Sequence, residues 1–353
     1  LTWNIFDHTQ NSPELIDFVR GAEISTKDGG LTTLETVARS SFNDFNYAFG
    51  IQLNNETLDI EYNDLARAEF DSDGKITKTA DLFFLGGGQN VDESRNKYGA
   101  FFEGEQEFFG SLGLRLAARY EKVDNFSSLD PKLSLRFSPI EEITFRISRG
   151  TSFTMPSMAQ MFSSDINLGS VRDLDDNIFV RQARIGNPDL KPATSTNSNF
   201  GFVYDSDVNR FSLDYWEIDY RNRIEAESSQ ALLDLDPQGP SITRNENGEL
   251  IAVTTTYFNE ENTLISGIDL SYEHNFDLDD NGQLEFALKG TSFFEFLTPD
   301  QSADGSENIL VNRIGKFNFD THTHALPRNR INSFLTWKYN CLLYTSDAAD
   351  EMR

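Results

Sequence analysis

The sequence is poor in cysteine, methionine and histidine, with one Cys, four Met and four His among 353 residues. Because histidine is so scarce and no Gly-x-Ser-x-Gly elbow occurs, Ser-His-Asp chemistry has no support. We therefore expect a protein that is not an enzyme and that holds no cofactor. A chain almost free of thiols fits an oxidising compartment outside the cytoplasm.

Long apolar runs are also missing from the sequence. No stretch approaches the roughly 20 residues that a transmembrane helix needs. A membrane protein is still compatible with this observation. A strand of a β-barrel crosses the membrane with about ten residues and leaves a much weaker signal.

Positive charge is in deficit, and the formal net charge is -27 at pH 7. A chain this acidic repels phosphate groups, so nucleic acid is excluded as a partner. The charge fits a surface that is bathed in salt or divalent cations.

What the sequence does contain is aromatic residues, with 30 Phe and 11 Tyr, and these favour strands. Apolar and polar side chains alternate with period two in many segments. In the first of them, Phe45, Phe49 and Leu53 share one face. The same alternation occurs in residues 112–120, 133–137, 143–147, 268–272, 284–288 and 335–339. The pattern predicts an all-β fold.

The lengths of the connections between these segments distinguish a membrane barrel from a soluble sandwich. Short turns are predicted at residues 109–110, 138–142, 205–209 and 277–282. Longer polar connections are predicted at residues 55–95, 122–130, 153–194, 225–262 and 297–325. Alternating short turns and long loops is typical of outer-membrane barrels. Long loops without structure would be unusual in a compact soluble domain.

In one predicted strand, the large apolar side chains switch from one face to the other. Phe211, Leu213 and Tyr215 share one parity, but Trp216 and Tyr220 take the other. A β-bulge near Tyr215 would reconcile the two runs. Alternatively, Trp216 and Tyr220 belong to an aromatic girdle at the membrane interface, where facing is less strict.

Four motifs carry a family resemblance. Residues 186–195 resemble the NP-x-LKPE-x-S signature of TonB-dependent outer-membrane receptors, with Ala193 in place of the usual Glu. Residues 150–157 resemble the family's G-x-S-F-R-A-P-S strand exit, with Thr154 in place of Arg. Residues 128–133 and 212–220 resemble two further strands of the family. The motif positions that we assign a structural role are Phe153, Pro156, Gly186, Asn187, Pro188, Leu190, Lys191 and Pro192.

The resemblance implies an antiparallel transmembrane β-barrel of about 22 strands, closed by an N-terminal plug, in the bacterial outer membrane. It also implies a small-molecule substrate, contact with membrane lipid, and energy supplied by the TonB complex. This stretch is expected to hold about a dozen of the strands, as a partial barrel domain over residues 1–340. The plug and the coupling segment are expected outside it. Residues 341–353 resemble the translation of a sequencing adapter and are expected to be a non-native tail.

Four arginines fall on the polar face of the predicted strands: Arg115, Arg119, Arg136 and Arg146. In a barrel they would project into the lumen and could guide an anionic substrate such as a ferric chelate. The alternative is ion pairing with carboxylates of the plug or of the wall itself, such as Glu121.

Metal binding is the other candidate chemistry. The acidic connections hold Asp173, Asp175, Asp176, Asp234 and Asp236, which could bind Ca²⁺ or form a solvated acidic surface. The segment 277–282 begins like an EF-hand, but the twelfth position is Leu288 instead of Glu, so a polar hairpin turn is expected. His322 and His324 could ligate a metal or lie in a loop.

The predicted function is energised uptake of a scarce nutrient, with a ferric siderophore as the first candidate and a carbohydrate or cobalamin still open. The alternatives are a passive porin or structural barrel and, in a different class, a soluble secreted β-sandwich.

Overall fold

The computed structural model describes residues 3–71, 74–80, 86–300, 309–316, 325–339 and 342–350. His322 and His324 lie outside the described residues, and so does part of the predicted connection 297–325. Within the described ranges, no helix is long and apolar enough to cross a membrane.

The described part of the chain forms nineteen strands and three α-helices. The strands are β1 (Ser25–Phe42), β2 (Phe45–Tyr62), β3 (Glu69–Phe70), β4 (Ile76–Lys78), β5 (Gly87–Gly88), β6 (Val91–Phe108), β7 (Leu112–Val123), β8 (Phe126–Ile140), β9 (Ile143–Thr154), β10 (Asp165–Asp173), β11 (Asp176–Ile185), β12 (Ala193–Asp205), β13 (Asn209–Ala226), β14 (Ile242–Arg244), β15 (Leu250–Asp277), β16 (Gln283–Pro299), β17 (Leu310–Asn312), β18 (Asn329–Tyr339) and β19 (Leu342–Asp350). The helices are α1 (Pro13–Val19), α2 (Met158–Phe162) and α3 (Ser229–Leu235).

Twelve of these described strands form one continuous antiparallel sheet, which we call the wall. Its order is β1-β2-β6-β7-β8-β9-β12-β13-β15-β16-β18-β19. The prediction of about a dozen antiparallel barrel strands is confirmed. The last strand, β19, lies within residues 341–353, and the non-native origin of that tail stays a prediction.

One face of the wall exposes a belt of large apolar side chains. In β2 the belt contains Phe49, Ile51 and Leu53, because alternate residues of a strand point to the same side. It continues across the sheet through Tyr98, Phe102, Leu116, Tyr120, Leu133, Phe137, Phe145, Ile147, Phe200, Tyr204, Leu335 and Trp337. A soluble sandwich would bury such a face against a second sheet. A belt left exposed along a single sheet has the pattern of a lipid-facing wall, which contradicts the sandwich alternative.

Short turns join the wall strands at one end of the sheet, which we call the short-turn end. Between β6 and β7 the turn consists of Phe109 and Gly110, with φ angles of 54° and 66°. Positive φ at both central residues is the type I′ geometry that suits the twist of paired strands. The segment 277–282 forms a short 3-10 turn between β15 and β16. It is therefore a polar hairpin turn, as expected.

At the opposite end, which we call the extended end, the strands run further than the alternation predicted. The connection predicted at 122–130 was wrong: β7 and β8 pair until Val123 faces Phe126, and only Asp124 and Asn125 lie between them. The apolar criterion failed here because the apolar residues of this hairpin do not share one face: Val123 faces Phe126 on one side, and Leu129 lies on the other.

The predicted connections 55–95, 153–194 and 225–262 contribute strands to a second small sheet, which we call the outer layer. It consists of β5, β10, β11, β14 and the first residues of β15, with α3 packed on it. Its core contains Val171, Val180, Leu233 and Val253. The pairing of β11 with β15 is parallel, in contrast to the antiparallel wall. The outer layer is thus a folded unit with its own core.

The change of facing in β13 does not come from a bulge near Tyr215. The strand pairs with β12 and with β15 through this region without any register shift. The shift lies two strands away, where Gly267 faces Phe293 and Ser266 faces Glu295, so that Phe294 is the extra residue in β16. The bulge prediction was therefore wrong.

The facing changes because the two sides of the wall exchange polarity toward the extended end. On the side of β13 that carries Phe211, Leu213 and Tyr215, the residues beyond Tyr215 are Glu217 and Asp219. On the other side, Trp216 packs edge-on against the Phe293 ring, with centroids 5.5 Å apart. β2 does the same, since the apolar belt gives way to Asn55 and Asp59 while Ile60 on the opposite face is buried.

Candidate functional site

The polar face of the wall brings three of the four predicted arginines to one concavity. Arg115, Arg136 and Arg146 line a cavity of about 500 Å³ near the short-turn end. Arg210 lines it as well and was missed from the sequence. Its signal was available, because it has the same parity in β13 as the polar residues Ser212 and Asp214. Arg119 is not among the residues that line this cavity.

Each predicted arginine is paired with a carboxylate of the wall. Arg119 donates to Glu121 at 2.5 Å and to the Gln52 side chain at 2.7 Å. Arg115 pairs with Glu103. The ion-pairing alternative is therefore present for these groups, and Glu121 is the partner that the sequence suggested. Substrate contact by the arginines stays a prediction.

Arg136 and Arg146 belong to one cross-strand row at a single level of the wall. The row runs Glu107, Gly113, Arg136, Arg146, Gly201 and Asp214 from β6 to β13. The two arginines face each other directly, and like charges in this relation destabilise a sheet. Each is compensated by an acid two strands away, since Arg136 pairs with Glu107 and Arg146 donates to both oxygens of Asp214 at 2.9 and 2.5 Å.

Glycine makes these long ion pairs possible. Gly201 lies between Arg146 and Asp214, and a Cβ there would collide with the Asp214 carboxylate and the Arg146 guanidinium. Gly113 has the same position between Glu107 and Arg136. The absence of a side chain on the intervening strand therefore lets an arginine reach across it.

The segment 186–192 joins β11 to β12 and is bound to both α2 and β15. The Asn187 backbone amide donates to the Gln160 carbonyl at 2.9 Å, and the Asn187 side chain donates to the Tyr257 carbonyl at 2.8 Å. A Cβ on Gly186 would lie 2.7 Å from the Met161 carbonyl oxygen. Only glycine fits this close approach of two backbones.

The second half of the segment anchors β12. Leu190 is buried at 1% exposure and Pro192 is also buried, whereas Pro188 and Lys191 are exposed. The Lys191 amide donates to the Asn259 side chain at 2.7 Å, and the Lys191 carbonyl accepts from it at 2.8 Å. The Asn259 side chain thus makes the two hydrogen bonds to the Lys191 backbone that a neighbouring strand would otherwise make. Its position in a predicted loop concealed this role.

Pro156 is also buried, and its carbonyl accepts a hydrogen bond from the Arg95 guanidinium at 2.7 Å. Arg95 is itself buried and donates to Glu56 at 2.6 Å. Phe153 is half-buried and pairs with Thr194. Arg95 and Glu56 were missed from the sequence because they fall inside a predicted connection.

A family model described as TonB dependent receptor-like, beta-barrel matches residues 2–348. The chain belongs to this family. It is therefore a protein of the bacterial outer membrane, with the short-turn end on the periplasmic side and the extended end outside the cell. No curated protein matches the sequence.

Solved structures of TonB-dependent receptors share the fold. The siderophore receptor PirA from Acinetobacter baumannii is 17% identical with a TM-score of 0.59, over 93% of this chain and 44% of that one. A mutant ferric enterobactin receptor, PfeA from Pseudomonas aeruginosa, in complex with enterobactin is 16% identical with a TM-score of 0.62, over 92% and 42%. The copper transporter OprC is 13% identical with a TM-score of 0.58, over 92% and 44%. The chain thus spans less than half the length of these proteins.

The two departures from the receptor motifs are neighbours. Thr154, where the motif has Arg, and Ala193, where it has Glu, face each other directly between β9 and β12. Both line a cavity of about 280 Å³ together with Ser152, Ser195 and Tyr220. In this receptor the positions that match a charged pair are therefore occupied by two small neutral residues.

The acids proposed for Ca²⁺ do not converge. Within the described ranges, no group of three His, Cys, Asp or Glu side chains could hold a metal ion. Asp173 is engaged elsewhere, since its two oxygens accept from Arg244 at 2.7 and 2.9 Å. These hydrogen bonds lower the pKa of Asp173 below its usual value. The Asp234 carboxylate accepts from Gln230 at 2.8 Å.

Proposed function

We propose that the receptor containing this chain carries out TonB-energised uptake of a scarce nutrient, with a ferric siderophore as the cargo. The family membership supports transport, and the neighbouring structures named as siderophore receptors support this class of cargo. The structural observation that supports this proposal is the lumenal cavity lined by Arg115, Arg136, Arg146 and Arg210.

The pairing in this cavity suits transient contact. A ferric chelate that carries negative charge is attracted by the guanidinium groups. Each of these half-exposed groups already has a carboxylate partner, so an arriving anion can exchange with that carboxylate while water solvates the carboxylate it displaces. Weak, exchangeable contacts let cargo move on, whereas tight contacts would retain it.

Uptake of radiolabelled ferric enterobactin by cells that express the whole receptor tests the proposal. We expect accumulation that requires TonB and falls about tenfold in the double variant Arg136→Gln/Arg146→Gln, with surface binding unchanged. Arg221→Gln removes a cation from the opposite face of the wall and serves as the matched control. Accumulation without TonB would indicate a passive porin. Uptake of copper instead of the chelate would contradict the cargo class.

A further inference from the structure

A small cavity opens in the outer layer between α3 and the first residues of β15. Its volume is about 180 Å³, and it is lined by Glu227, Ser228, Ala231, Leu232, Leu235 and Phe258. It lies at the extracellular end, far from the lumenal arginines. Apart from Glu227 and Ser228, the lining is apolar.

Glu227 contributes the only ionisable side chain among the lining residues. One carboxylate oxygen accepts the Thr256 amide at 2.8 Å, while the Glu227 amide donates to the Thr256 carbonyl at 2.9 Å. In the described part of the chain, this carboxylate makes no other hydrogen bond and no ion pair. Burial raises the pKa of Glu227, consistent with a carboxylate that lacks a cation.

The Glu227 carboxylate lies in a mostly apolar cleft and has no cation as a partner there. Removing it from water costs free energy, and a cation that enters the cleft offsets this cost. The apolar body of the same ligand would bury Leu232, Leu235 and Phe258, and the Phe258 ring can also attract a cation. The cavity is slightly larger than the cavity of about 150 Å³ that holds a benzene molecule.

We propose that this cavity binds a small organic ammonium ion with an aromatic or branched apolar body. The ammonium group pairs with Glu227, and the body packs between α3 and Phe258. The Ser228 hydroxyl accepts the Ala231 amide at 3.2 Å, so its own proton remains available to a polar atom of the ligand. The site opens at the extracellular end and is independent of the proposed cargo of the lumen.

The test measures binding of benzylammonium chloride to the detergent-solubilised receptor, by calorimetry and by saturation-transfer NMR. Benzyl alcohol, which has nearly the same shape without the charge, is the matched probe. We expect benzylammonium to bind at least about tenfold more tightly than benzyl alcohol. Glu227→Gln should remove this difference, because the amide oxygen still accepts from Thr256 but carries no charge.

Two further variants keep the result interpretable. Ala231→Phe fills the cavity and leaves the carboxylate in place, so it should weaken both probes. Glu246→Gln removes an exposed carboxylate of the same region and should change neither affinity. The proposal is overturned if Glu227→Gln binds benzylammonium as well as the parent protein does. Equal binding of the neutral and the charged probe would overturn it too.

Discussion

The two halves of the wall have opposite distributions of polar and apolar side chains between their outward and inward faces. Toward the periplasmic end, the outward face is apolar and the inward face carries ion pairs such as Arg146 with Asp214. Toward the extracellular end, the outward face becomes polar and the inward face buries Ile60 and Tyr62. The strands continue unbroken through the exchange. The level at which a strand changes facing therefore marks where lipid gives way to water.

This comparison is tested most strongly by one cation placed at two heights on the same face of β2. Ile51 is 57% exposed within the apolar belt, and Thr57 is exposed beyond it. We expect Ile51→Arg to destabilise the folded receptor in lipid vesicles by about 2–4 kcal/mol, and Thr57→Arg by about 0–1 kcal/mol. Denaturant titration in vesicles measures both. Equal costs would mean that the change of facing does not mark the membrane boundary.

A second test concerns the segment 186–192, which joins the outer layer to the extracellular half of the wall. Gly186→Ala places a methyl group 2.7 Å from the Met161 carbonyl oxygen, so the backbone of α2 must move. We expect a loss of about 1–3 kcal/mol in unfolding free energy. Gly29→Ala, with open space around the new Cβ, is the control. If both variants unfold at the same denaturant concentration, the close approach at Gly186 has no energetic weight.

A third test restores the charged pair at the motif positions. Thr154→Arg and Ala193→Glu introduce opposite charges on directly facing residues, next to a cavity of about 280 Å³ that has room for them. A double-mutant cycle on unfolding free energy should show a favourable coupling of about 0.2–1 kcal/mol. A coupling of zero, or an unfavourable one, would show that this rim no longer accepts the pair.

The fourth test has the smallest expected effect. It concerns the pH dependence of the unfolding free energy that two carboxylates of the outer layer produce. The pKa of Asp173 is lowered by hydrogen bonds from Arg244, so its contribution to stability is present above the unfolded pKa of about 3.9 and disappears as pH falls through the folded value. The pKa of Glu227 is raised by burial. The contribution of Glu227 to stability is thus highest below its unfolded pKa of about 4.3 and decreases as pH rises through the folded one.

Amide variants isolate the two contributions. Asp173→Asn should flatten the acid side of the curve of unfolding free energy against pH. Glu227→Gln should flatten the decrease on the other side. The same change of slope in both variants would show that the two carboxylates do not titrate in opposite senses.

The sequence predicted the parts of this fold that depend on local alternation. Residues 45–53 and 143–147 were correctly assigned as strands, because lipid on one side and polar contacts on the other produce a regular pattern. The alternation shows the period of a strand, but it does not show which of the two faces points outward. A reversal such as that at Trp216 therefore resembled a bulge.

Pairing between distant segments could not be predicted from the sequence. The outer layer depends on β11 lying parallel to β15, where Arg181 faces Ala252. The buried residues Val171 and Val180 are too few and too far apart to show a strand pattern. For the candidate site, polarity placed Arg136 and Arg146 on the inward face. Their partners Glu107 and Asp214 depend on register across an intervening glycine, which no local pattern contains.

The 28-residue strand β15 has a mechanical consequence. Its ladder with β11 ends at Thr256, and its ladder with β13 begins at Tyr257, the very next residue. No unpaired residue separates the two ladders, so the strand has no pivot there. The outer layer cannot swing on the wall as a lid without breaking backbone hydrogen bonds.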